Sequence, residues 1–116
     1  MKFLSSILGK GVESIAPDEA YRRLQAGTET IIVDVRQPVE TRAGSVPGAV
    51  LIPLTEFGRR MGELPHDRPI LTICRSGHRS PLAARQLRQA GYDVTDVAGG
   101  TMAWERARLP LVTSEG

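Results

Sequence analysis

Short runs of consecutive apolar residues alternate along the chain with longer stretches in which apolar residues recur every third or fourth position. The first pattern suits strands buried on both faces, and the second suits helices with one buried face. The expected strands are Val12–Ile15, Ile31–Val35, Ala49–Ile52, the apolar run from Ile70 that ends at Cys74, and Tyr92–Val97. Pro17 opens a first helix, with Asp18 and Glu19 suited to its N-terminal dipole and Ala20, Tyr21 and Leu24 on its apolar face. Gly27 is its expected stop; Ala16 caps poorly, so Ser14 or the backbone has to compensate. Pro38–Ala43 reads as a short helix, Gly44–Gly48 as a turn, and Ala49–Ile52 as a buried strand. Leu54, Phe57, Met61 and Leu64 have helical spacing in a segment weakened by Gly58 and Gly62. A longer helix runs up to Gly91, with Ala83, Leu87 and Ala90 as its core face and Leu82 beside it. Thr101 is the expected N-cap of a last short helix containing Met102, Ala103 and Trp104, which Pro110 ends.

Strands alternating with helices predict an α/β domain with a mainly parallel sheet. Ligands of such sheets bind beyond the carboxyl ends of the strands. Asp34 and Cys74 both fall there. A chain of 116 residues fits one domain and can bury a sizeable core without disulfides. The division expected is an N-terminal arm over 1–13, the domain over 14–110 and a C-terminal tail over 111–116. In the arm, Phe3, Leu4, Ile7 and Leu8 could share one helical face; Ser5 and Ser6 interrupt the run and no small-residue cleavage site follows, which argues against a signal peptide.

Composition narrows the function. The net charge of +2, with basic residues scattered, gives no nucleic-acid footprint, and no apolar run is long enough for a membrane span. Cys74 is the single cysteine, so no intramolecular disulfide forms, and a free thiol favours a reducing, cytoplasmic setting. One cysteine with two histidines, His66 and His78, argues against a structural zinc site, and nothing calls for a metal or another cofactor.

The chemistry concentrates in Cys74-Arg75-Ser76-Gly77-His78-Arg79-Ser80, followed by Pro81. A thiol at the end of a strand faces the amides of a compact loop and of the next helix's N-terminus, which stabilise a thiolate or a bound anion. Gly77 lets the loop turn its N–H groups inward, and Pro81 fits a first helical turn. Arg75 and Arg79 add positive charge, His78 is an optional third donor, and Ser76 and Ser80 either donate to sulfur or cap the turn. Such surroundings bring a thiol down from its usual pKa of ~8.5 toward neutrality or below. Asp34, in an apolar strand, needs a partner, for which Arg36 and the following backbone are the local candidates. Arg79 has Asp34 or Glu40 as a possible partner.

Four blocks in order, IIVDVRQPVE, GSVPGAVLIPL, CRSGHRS and AGYDVTDVAGGTMAW, make the chain similar to single-domain rhodanese-like sulfurtransferases over about Ser14–Pro110. The resemblance implies a three-layer α/β/α fold around a five-stranded, mainly parallel sheet. It implies ping-pong transfer without a cofactor, in which Cys74 takes the outer sulfur of a small anionic donor such as thiosulfate. The persulfide then passes that sulfur to a thiol, to cyanide or to a sulfur-accepting protein. The amides of Arg75–Ser80 would hold the sulfur, with Asp34 and Arg36 in support. Two positions depart from the pattern: Thr41 stands where an aromatic is common, and Ser45 where a histidine is. An alternative role is a persulfide carrier or regulatory module for a partner protein. Cysteine phosphatases and arsenate reductases also pair a Cys with an amide cradle and an Arg, but typically with five residues between them. Here four separate Cys74 from Arg79, and no nearby aspartate is evident as general acid.

Overall fold

The computed structural model describes residues 12–27 and 29–113. The expectations for Phe3, Leu4, Ile7 and Leu8, and for the end of the tail, lie outside the described residues. Within them, five strands form one wholly parallel sheet in the order β1-β5-β4-β2-β3. The strands are β1 (Ser14–Ile15), β2 (Ile31–Asp34), β3 (Val50–Leu51), β4 (Ile70–Ile73) and β5 (Val94–Val97). The helices are α1 (Pro17–Gln25), α2 (Leu54–Arg60), α3 (Ser80–Gln89) and α4 (Gly100–Arg106).

Alternation along the strands divides the core into two layers. Val33, Ile70, Cys74 and Val94 pack with Phe57 of α2 and Ala83, Ala84 and Leu87 of α3. Ile32, Leu71, Ile73 and Val97 pack on the other side with Ala20 of α1 and Trp104 of α4. The three-layer α/β/α arrangement follows from β2, β4 and β5, which carry apolar residues toward both faces. Trp104 is fully buried; its indole N–H donates to the Pro110 carbonyl at 2.8 Å, and Tyr21 meets its ring edge-on.

Several local expectations are corrected. Val50 is 39% exposed because β3 is a sheet edge, so that strand is not a buried one. On α3, Ala84 is buried where Ala90 was expected, and Leu82 is 45% exposed. The helix ends at Gln89, which leaves Ala90 outside the packed face. Pro38–Thr41 is a 3-10 turn, and the segment after Arg60 tightens to a 3-10 turn over Met61–Glu63, where Gly62 interrupts the helix. Thr101 lies within α4; Gly99, with φ of 76°, is the residue before the helix. Ala16 offers α1 no side-chain cap, and its carbonyl accepts from Ala20 N–H at 3.1 Å. Past Pro110, Leu111 packs on the Trp104 layer, and Val112 exchanges two backbone hydrogen bonds of 2.8 Å with Ser45.

Candidate active site

Cys74 follows β4 at the carboxyl edge of the sheet and is fully buried. Its loop folds back so that the Gly77 and Ser80 amides donate to Cys74 Sγ at 3.2 and 3.3 Å. Gly77 reaches this position with φ of 93°, which a side-chain-bearing residue adopts only under strain. Burial works against the charged thiolate, but the Ser80 hydroxyl and the amides of Ser80, Arg79 and Gly77 outweigh it, and the thiol pKa is lowered.

The loop is clamped from the rear by α4. Thr101 N–H donates to the Cys74 carbonyl at 2.7 Å and Met102 N–H to the Arg75 carbonyl at 3.0 Å. Gly100, with φ of 66°, permits this approach: a Cβ there would lie 2.4 Å from the Arg75 carbonyl and the Cys74 oxygen. The pair Gly99-Gly100 therefore serves close backbone contact as well as a tight turn.

Arg79 pairs with Glu40 in a two-pronged ion pair at 2.7 and 2.8 Å, and not with Asp34. The guanidinium beside it holds the Glu40 carboxyl down at about 2. Asp34 ends β2 on the face shared with Ile32, opposite the face carrying Cys74. It binds Arg36 through both carboxylate oxygens at 2.8–3.1 Å and accepts the Arg36 amide at 3.0 Å. Arg36 reaches on to the Glu40 carbonyl at 3.0 Å and the Gly44 carbonyl at 2.9 Å. Asp34 and Arg36 thus brace the turn that carries Glu40, without touching the sulfur. The two positions that depart from the family pattern are also held: Thr41 donates to the Pro38 carbonyl at 2.7 Å, and Ser45 bridges Val112.

Arg75 is exposed and borders a cleft of about 560 Å³ together with Arg36, Glu40, Met102 and Arg106. Ser76 and His78, both exposed, pair with one another at 2.9 Å. Ser80 is fully buried, and its amide donates to the sulfur at 3.3 Å. Among the described residues no cluster of His, Cys, Asp or Glu could hold a metal ion, and no helix is long and apolar enough to cross a membrane.

The residue that sequence reasoning missed is Asp96. It sits on β5, 3% exposed, directly across from Thr72 of β4, whose hydroxyl donates to Asp96 Oδ1 at 2.8 Å. Burial pushes the carboxyl up to about 6, against the opposing pull of the Ser80 and Thr72 hydroxyls. Its signal in the sequence equals that of Asp34: a carboxylate inside an apolar strand near its carboxyl end. An aspartate does lie near the nucleophile, then, but inside the fold.

The family model for the Rhodanese-like domain matches residues 16–107. A sulfurtransferase of Allochromatium vinosum is 39% identical over 90% of this chain and 99% of its own. Among solved structures, a rhodanese-related protein of Thermoplasma volcanium superposes with a TM-score of 0.81 at 31% identity, over 86% of this chain and 97% of that one. A thiosulfate sulfurtransferase of Pseudomonas aeruginosa gives a TM-score of 0.83 at 27% identity, covering 94% of this chain but 22% of that longer one.

Proposed function

The chain belongs to the rhodanese-like domain family of sulfurtransferases, and from that premise we propose that it moves a sulfane sulfur through a persulfide on Cys74. The observation that carries the reading is the set of amides converging on Cys74 Sγ. A thiolate held by fixed N–H donors is a ready nucleophile, and the same donors suit the anionic persulfide that replaces it. In the first half-reaction the thiolate attacks the outer sulfur of thiosulfate. The S–S bond of the donor breaks, and sulfite leaves with its electron pair. In the second, a thiol or cyanide attacks the outer sulfur of the persulfide, and the Cys74 thiolate is released.

Arg75, exposed beside the cleft, suits the approach of an anionic donor. Arg79 does not offer a free guanidinium to a tetrahedral phosphate, because both its terminal nitrogens are engaged by Glu40. That supports sulfur transfer over phosphate-ester chemistry, as does the four-residue spacing from Cys74 to Arg79. A free thiol of this kind suits a reducing compartment, which favours the cytoplasm.

Intact mass after incubation with thiosulfate is the test. One sulfur should add to the wild type, cyanide should remove it, and Cys74→Ser should gain nothing while keeping its circular dichroism spectrum. Sulfur uptake by Cys74→Ser equal to that of the wild type would refute the mechanism.

A further inference from the structure

Cys74, Thr72 and Asp96 project from the same face of the sheet, toward the start of α3. Cys74 and Val94 pack in the α3 layer, and Thr72 and Asp96 keep register with them by twos along β4 and β5. Ser80 opens α3 over this spot. Its amide is bonded to the sulfur, yet its fully buried hydroxyl has no hydrogen-bond partner among the described residues. Leaving a buried hydroxyl unsatisfied carries the full desolvation cost of the group. The hydroxyl lies near enough to lower the proton affinity of both the Cys74 thiol and the Asp96 carboxyl, while committed to neither. A hydroxyl can donate one hydrogen and accept another, so it can link the two.

We infer that Asp96 is a positioning residue for the nucleophile: through the Ser80 hydroxyl it takes up the Cys74 proton, so that the thiolate forms inside the fold. The thiol proton passes to Ser80 Oγ as the Ser80 hydroxyl proton passes to the Asp96 carboxylate. The negative charge moves from carboxylate to sulfur, and no bond between heavy atoms changes. Afterwards the protonated carboxyl donates to Ser80 Oγ, and the Ser80 hydroxyl donates to the thiolate. Thr72 holds Asp96 in place through Oδ1.

The surroundings suit such a transfer. Burial raises Asp96 to about 6 while the loop lowers the thiol, which brings their proton affinities together from opposite sides. Around Asp96, β4 contributes Thr72 and the loop beyond it Cys74; β1 presents Ser14, and the turn after β5 presents Ala98 and Gly99. From α3, Ser80 faces it, and Arg85 lines the same cavity of about 330 Å³ without an ion pair to it among the described residues. Arg79 acts on the sulfur from the loop.

The inference rests on Cys74 as the nucleophile of sulfur transfer, but its test needs no sulfur donor. Thiolate formation can be followed by ultraviolet absorbance against pH, and Cys74 is the only cysteine that contributes. In the wild type the thiolate should appear in two steps: the first proton lost is shared by the pair, and the second leaves only when both groups become charged. Asp96→Asn should reduce this to one step. Ser80→Ala should lose the low-pH step and form thiolate only at higher pH. A single wild-type step superimposable on that of Asp96→Asn, or two steps surviving in that variant, overturns the inference. Should Asp96→Asn fail to fold, Ser80→Ala decides alone, since it removes one oxygen that has no hydrogen-bond partner among the described residues; an unchanged low-pH step in it refutes the relay. If thiosulfate adds no mass while the two-step titration holds, the sulfur-transfer reading falls and the relay stands.

Discussion

Glu40→Gln isolates the strut that holds the Cys74 loop from its open side. Glu40 lies in the 3-10 turn after β2, and Arg79 lies 39 residues on, just ahead of α3. Their two hydrogen bonds at 2.7 and 2.8 Å, joined by the Gln37 amide at 3.0 Å and the charge of Arg36, hold Glu40 at about 2, against an ordinary value of 4.5. At ~1.4 kcal/mol per pH unit, that difference corresponds to at most ~3.5 kcal/mol. The side chains are 35% and 24% exposed, so solvent screening brings the expected effect to ~1–2 kcal/mol. For a domain of this size that lowers the melting temperature by roughly 4–8 °C. The folded protein releases the Glu40 proton more readily than the unfolded chain does. The contribution is therefore complete above about 4.5 and lost as the pH falls toward about 2. Urea unfolding of wild type and Glu40→Gln across this range, at low and high salt, measures it. A loss below ~0.5 kcal/mol at neutral pH would refute the reasoning. So would a difference that stays constant down to the acid limit.

Two further substitutions test how the loop is seated. Arg36→Leu leaves Asp34 buried without its partner and should cost about 3–5 kcal/mol in urea unfolding; adding Asp34→Asn should recover part of that loss, and no recovery would count against the buried pair as its source. Gly100→Ala should destabilise by clearly more than Gly91→Ala and raise the pH at which Cys74 ionises, because its Cβ would enter the Cys74–Arg75 backbone at 2.4 Å, whereas Gly91, also at positive φ, has open space. Equal melting temperatures for the two variants would show that the backbone contact is not limiting.

Sequence patterns carry what is local. Ile31–Asp34 and Ile70–Ile73 are strands because β-branched and apolar residues run without interruption and both faces are covered. The loop after Cys74 is legible because Gly77 and Pro81 have few backbone roles they can play there. Tertiary packing decides the rest. Val50 has the look of a buried strand residue, but its exposure is set by β3 falling at the edge of the sheet, which depends on strand order. Thr101 has the chemistry of an N-cap, yet Gly100 extends the helix by a residue because α4 must bring its first amides against the Cys74 and Arg75 carbonyls.

The same distinction explains which site residues were legible. The cradle is contiguous in the chain, so spacing finds Cys74, Gly77 and Ser80. Its supports are not contiguous. Glu40 reaches Arg79 from the turn after β2, Gly100 and Thr101 come from beyond β5, and Asp96 enters through its register with Thr72. Asp34 and Asp96 give the same signal in sequence, a carboxylate near the end of an apolar strand. Strand parity sends the first away from the sulfur to Arg36, and the second toward it and Ser80. In a parallel sheet one residue of register reverses that outcome. The loop that follows Cys74 in the chain lowers its pKa, and the face each strand-end carboxylate occupies decides whether that carboxylate can reach the loop.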